Sequence, residues 1–166
     1  MSLPPTTTAA GAATTAARVQ RAAARHLDAL APLFDAYRQF YDQPADLPRA
    51  RRFLEQRLAR SESLLWGAWI GDEAVGLCQC YPSFCSVIAQ PILVLYDLYV
   101  APGARGQRVG HALMQAAEAE AQTRGCGRID LTTAHDNHRA QALYTARGWQ
   151  HDAVFRTYTK TVSPAP

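Results

Sequence analysis

Ile92, Leu93, Val94, Leu95 and Tyr96 follow one another without interruption inside Gln90–Val100, the most hydrophobic stretch of this chain. A strand that is apolar on both faces needs cover above and below, so it is a central strand of a sheet. Pro102 and Gly103 end it, and a helical pattern from about Val109 to Arg124 follows. The chain is therefore expected to build a sheet with helices on its faces.

The remaining elements can be read outward from that strand. Arg18–Ala23 reads as a short strand. Leu27, Leu30, Leu33, Phe34 and Tyr37 recur at helical spacing and predict a helix over His26–Tyr41. Pro44 interrupts the chain. Asp46 is placed to cap a second helix that carries Pro48 in its first turn and runs to about Arg60, with Phe53, Leu54, Arg57 and Leu58 along its stripe. Leu64–Ile70 and Ala74–Tyr81 flank Gly71-Asp72, the signature of a tight hairpin. After the Val109 helix come a strand at Arg128–Thr133, a helix at His138–Arg147 and a closing strand at Trp149–Thr161. The predicted order is β-α-α-β-β-β-α-β-α-β, in one domain over residues 17–162.

Composition bounds what such a domain does. The 166 residues suffice for one sizeable core. Residues 1–16 carry no charged side chain and little apolar bulk, so they are expected to form a disordered tail, with a second short tail at 163–166. No stretch approaches the roughly 18 apolar residues of a membrane span, and no basic segment precedes a hydrophobic run at the N-terminus. A cytoplasmic protein with no membrane partner is the expectation. Seventeen basic residues against 14 acidic ones are too balanced for a nucleic-acid partner, which calls for a concentrated basic face. Of the four cysteines, Cys78 and Cys80 sit two apart on one strand face. Cys85 and Cys126 complete no metal-ligand spacing, so buried structural thiols are expected and no metal.

The chemistry points to the segment Arg105-Gly106-Gln107-Arg108-Val109-Gly110-His111. Its two glycines let the backbone turn sharply and approach a ligand. The first amides of the following helix have no internal partner, the helix dipole adds positive potential, and Arg105 and Arg108 add two charges. Such a combination suits phosphate groups. It matches neither Gly-x-x-x-x-Gly-Lys-Ser/Thr nor Gly-x-Gly-x-x-Gly. A plain strand-to-helix turn with solvated arginines is the alternative.

Asp97-Leu98-Tyr99-Val100-Ala101-Pro102, followed by Arg105 through Leu113, resembles the central motif of the GNAT N-acetyltransferases, whose core is Arg/Gln-x-x-Gly-x-Gly/Ala. Arg105 and Gly110 match it, and Arg108 stands where the middle glycine is usual. Asn137-His138-Arg139-Ala140-Gln141-Ala142-Leu143-Tyr144, ending in Arg147-Gly148-Trp149, is similar to the family's second motif, Asn-x-x-Ala-x-x-Leu-Tyr and Gly-Phe/Trp. The wording leans toward the branch of yeast histone and polyamine acetyltransferases. The resemblance covers about residues 18–160. It implies an α/β GNAT fold, with a mixed, mostly antiparallel sheet of six to seven strands flanked by about four helices. It also implies acetyl-coenzyme A as acetyl donor and a small-molecule or peptide amine as acceptor.

The resemblance assigns roles residue by residue. Leu98, Tyr99 and Val100 correspond to the strand whose backbone pairs with the pantetheine arm. Arg105, Gly106, Gln107, Arg108, Val109, Gly110 and His111 correspond to the pyrophosphate loop, and Asn137 and Ala140 to further cofactor contacts. Asn137 is also a good helix N-cap in its own right. Tyr144 corresponds to the general acid that protonates the coenzyme A thiolate, and a packing tyrosine is the alternative. Some members carry a glutamate base at the position of Tyr96, which this chain lacks. The neighbouring Asp97 is expected on the opposite face, either hydrogen-bonding loop amides or acting on the amine as base. Tyr37, Phe40 and Tyr41 are expected along the acceptor wall together with Tyr96, and Asp35, Asp42 and Asp97 could line a polyamine channel. The aromatic residues Trp149, Phe155 and Tyr158 of the closing strand offer a surface for a homodimer. The rival reading is a non-catalytic acyl-coenzyme A sensor.

Overall fold

The computed structural model describes residues 16–162, so the tails expected at 1–16 and 163–166 lie, but for Ala16, outside the described residues. The chain divides into two compact units, one ending at Thr132 and the other beginning at Thr133.

The first unit holds a five-stranded sheet in the order β1-β2-β3-β4-β5. Its strands are β1 (Arg18–Arg21), β2 (Leu64–Ile70), β3 (Glu73–Cys85), β4 (Gln90–Val100) and β5 (Ile129–Leu131). The first four pair antiparallel, and β4 pairs with β5 in parallel. Helices α1 (Leu27–Phe40) and α2 (Leu47–Ala59) lie between β1 and β2, and α3 (Val109–Thr123) between β4 and β5. Asp46 caps α2 as expected, its Oδ1 accepting from the Arg49 amide at 2.9 Å. This is the mixed, mostly antiparallel α/β arrangement the resemblance implies.

Two adjacent residues show how the layers are dealt out. Leu77 packs with Leu30, Phe34, Leu54 and Leu65 in the core under α1 and α2. Its neighbour Gly76 faces Val109 and Leu113 of α3. Successive side chains of a strand point to opposite faces, so α1 and α2 cover one face of the sheet and α3 the other. That double cover explains the continuous apolar run of β4.

Two expectations about strands are corrected. β5 spans three residues instead of Arg128–Thr133, because it pairs only with Leu93, Val94 and Leu95. The closing strand expected at Trp149–Thr161 is not formed: residues 150–162 have no ladder and are exposed. Asp152 Oδ1 accepts from the amides of Val154 and Phe155 at 2.8 and 3.0 Å, a local turn that takes donors a ladder would need. The apolar residues there also fail to alternate, at Val154, Phe155, Tyr158 and Val162. The sheet therefore has five strands among the described residues, not six or seven. Cys78 and Cys80 are buried free thiols, whereas Cys85 and Cys126 are only half-buried.

Candidate active site

The start of α3 is held against the sheet by an absent side chain. A Cβ on Gly76 would stand 3.0 Å from the Tyr99 carbonyl oxygen and 3.1 and 3.2 Å from Leu113 Cδ1 and Val109 Cγ1. Glycine here lets the first turn of α3 settle onto β3 and β4, and Val109, Leu113 and Met114 are fully buried beneath it. Sequence reasoning missed Gly76; its signal is a glycine inside an otherwise apolar strand.

The loop before α3 reverses at Gly106, with φ +84°, and again at Arg108, with φ +60° and ψ +13°. The left-handed region suits glycine and costs a Cβ-bearing residue on the order of 1 kcal/mol. Arg108 therefore keeps the backbone shape of the glycine usual at its position. No side chain caps α3, whereas Asp46 caps α2 and Asn137 caps the later helix. The leading amides of α3 thus have no side-chain cap among the described residues. Arg105, Gly106, Gln107 and Arg108 are exposed around them, and Gly110 and His111 are half-buried. Arg105 Nε donates to the Val100 carbonyl at 3.0 Å, and Gln107 Nε2 to the Gly103 carbonyl at 3.1 Å. Arg105 therefore also clamps the loop to the end of β4.

The same end of β4 has an open edge. Beyond Leu95 no strand pairs with it on the β5 side among the described residues, while Asp97, Leu98, Tyr99 and Val100 remain paired with β3. The Val100 carbonyl turns outward to Arg105, and strand alternation puts the Leu98 carbonyl on that same side.

Register explains the opening. Gln79 pairs with Asp97 and Cys80 with Leu95, so Tyr96 is an extra residue, a β-bulge that bends the strand. The bulge also breaks the expected alternation, since Tyr96 and Asp97 line one cavity instead of facing opposite sides. This cavity, about 620 Å³, is walled by the aromatic rings of Phe34, Tyr37, Tyr41, Phe53, Tyr81 and Tyr96. Of the expected acceptor wall, Phe40 is not part of it; its ring stands edge-on to Tyr41, 5.1 Å between centroids, and is more than half exposed.

Asp97 is buried and lies in a chain of polar groups. Gln79 Nε2 donates to Asp97 Oδ2 at 2.7 Å, and Ser63 Oγ donates to Gln79 Oε1 at 2.8 Å. Tyr37 also hydrogen-bonds the carboxylate, and its hydroxyl lies 3.0 Å from the Tyr96 carbonyl. Burial pushes the Asp97 carboxyl up to about 6, against the opposing pull of Gln79 and Tyr37. Burial, with the nearby Asp97 charge, likewise raises the Tyr81 hydroxyl, so Tyr81 stays protonated at neutral pH. The loop amides considered as partners for Asp97 are not those it uses.

Asp35 and Asp42 do not join Asp97. Asp35 is buried and occupied by Arg38 Nη1 at 2.7 Å, Gln39 Nε2 at 3.1 Å and the Asp46 amide at 3.0 Å. Asp42 is an exposed turn residue with φ +59° and does not line the cavity.

In the second unit, Asn137 Oδ1 accepts from the Ala140 amide at 3.2 Å and caps α4 (His138–Ala146). Gln141 Nε2 donates to the carbonyls of Ala134 and His135, which ties the approach to the helix. Tyr144 is half-buried, its ring 6.2 Å from that of Trp149.

The Acetyltransferase (GNAT) family model matches residues 27–149. The uncharacterized N-acetyltransferase YhfO of Bacillus subtilis is 40% identical over 134 residues, which is 81% of this chain and 90% of that protein. The D-amino-acid N-acetyltransferase HPA3 of Saccharomyces cerevisiae is 33% identical over 94 residues, 54% of this chain and 58% of that one. A crystal structure of a probable acetyltransferase superposes with a TM-score of 0.82 at 39% identity, covering 89% of this chain and 99% of the other. An uncapped helix start beside a bulged, open-edged central strand and a family match across most of the chain lead to one conclusion: the chain belongs to the GNAT acetyltransferase family and is an N-acetyltransferase.

Proposed function

We propose that this enzyme transfers the acetyl group of acetyl-coenzyme A to the primary amine of a small molecule held in the aromatic cavity. The observation that carries the reading is the uncapped start of α3, shaped by Gly106 and the left-handed Arg108, beside the unpaired edge of β4. These features fit a diphosphate with an extended amide-bearing arm: free N–H groups and guanidinium groups for the anion, strand carbonyls and amides for the arm. Leu98, Tyr99 and Val100 are the residues for the arm, and Arg105 through His111 those for the diphosphate. Bound there, acetyl-coenzyme A supplies the acetyl group activated as a thioester.

Asp97 is the base of this proposal. Its carboxylate lines the cavity and is mostly ionised at neutral pH, so it can take the proton that the acceptor nitrogen loses, directly or through a water. Tyr144 is the acid, its hydroxyl giving a proton to the departing sulfur. The name of the yeast relative, a D-amino-acid N-acetyltransferase, supports a small-molecule acceptor.

Calorimetry with acetyl-coenzyme A tests the reading. Arg105→Glu replaces an attractive charge by a repulsive one and is expected to weaken binding at least tenfold, with thermal melting showing the variant folded. Unchanged affinity, or no heat of binding to the parent protein, overturns the proposal.

A further inference from the structure

Resting on that reading of the cavity, we infer that the acceptor is an aminocarboxylate: an amine that also carries a carboxylate, with an apolar or aromatic body between the rings. Three arginines line the cavity, Arg38, Arg49 and Arg57, against a single acidic residue, Asp97. Two of the three are already matched. Arg38 lies 2.7 Å from Asp35, and Arg57 lies 2.7 Å from Glu62. Arg49 makes no ion pair among the described residues, and its backbone is fixed in the first turn of α2 by the Asp46 cap.

Two opposite charges are thus left for the ligand, one guanidinium and one carboxylate on an aromatic wall. A zwitterion complements both: its amine meets Asp97 and its anion meets Arg49. A single guanidinium balances the single charge of a carboxylate, and its planar fork matches two carboxylate oxygens; a doubly charged phosphate calls for more than one. A polyamine is the wrong partner, because it brings several positive charges to a cavity with one available carboxylate and an uncompensated arginine. The cavity volume of about 620 Å³ is within the range of small-molecule sites and leaves space for a side chain well beyond a methyl group.

The test follows coenzyme A release with D- and L-phenylalanine, 2-phenylethylamine and spermidine, using the full chain, Arg49→Gln and Arg49→Glu. The quantity read is the ratio of kcat/KM for phenylalanine to that for 2-phenylethylamine. Comparing this ratio between proteins cancels the different basicities of the two amines. With at least one enantiomer, Arg49→Gln is expected to lower the ratio at least tenfold, and Arg49→Glu further. Arg49 is exposed and its side chain makes no ion pair, so folding is expected to survive, which thermal melting checks. A ratio unmoved by Arg49→Gln, or a preference for spermidine, overturns the inference while leaving acetyl transfer standing. Release with none of these amines, by protein that still binds acetyl-coenzyme A, overturns both the inference and the proposed small-amine transfer.

Discussion

In water an aspartate is ionised above about pH 4, but Asp97 does not meet water on those terms. It is 5% exposed, and burial holds its carboxyl up to about 6. As a base it works only when ionised, so kcat/KM is expected to rise with pH along an acid limb near pH 6. Asp97→Asn is expected to lose that limb together with most of the rate. Stability moves the other way. Between about pH 4 and 6 the folded protein holds this proton while the unfolded chain releases it. The native state therefore loses stability as pH rises through that window, on the order of 3 kcal/mol in total, and nothing further from this group above it. The melting temperature of Asp97→Asn minus that of the parent should accordingly become more positive from pH 4 to pH 7. A difference that stays flat contradicts the buried charge. Nothing local in the sequence distinguishes this aspartate from a structural one; Gln79, Ser63 and Tyr37 come from distant positions and meet it only in the fold.

At the level of elements, hydrophobic period and caps were informative because they act over neighbouring residues. The stripe of α1, the Asp46 cap of α2 and the Asn137 cap of α4 are legible in this way. Pairing was less legible. The Tyr96 bulge depends on how β3 and β4 align, and the loss of the closing strand depends on a local Asp152 turn and on the lack of a ladder partner among the described residues. The junction of α1 and α2 shows the same dependence. Asp35 looks like one more exposed helix carboxylate, yet it receives Arg38, Gln39 and the start of α2 in a buried cluster. Asp35→Ala leaves the Arg38 guanidinium and the Asp46 amide without their acceptor, and is expected to cost on the order of 3 kcal/mol in urea unfolding. Asp35→Asn, which keeps an acceptor, should cost less. Equal losses for the two would mean the charge alone matters.

For the whole molecule, the proposed reaction also needs an acid, and that role falls to Tyr144. Tyr144→Phe removes one hydroxyl and little packing, so kcat is expected to fall by roughly 10²–10⁴ while acetyl-coenzyme A affinity and melting temperature hold. Single-turnover kinetics on the folded variant checks this, and turnover at the parent rate removes Tyr144 from the chemistry. The sequence by itself determined the layered α/β class, most element boundaries and the glycine-bearing turn before α3, because apolar period, capping residues and glycines act through contacts within a few residues. Only the tertiary structure decided that Tyr96 bulges, that β4 has an open edge, that Gly76 seats α3, and that Asp97 and Arg49 are left as the cavity's two unbalanced charges. Strand register and burial are set by residues far apart in the chain, and a charge is free or spent only once its neighbours in space are known.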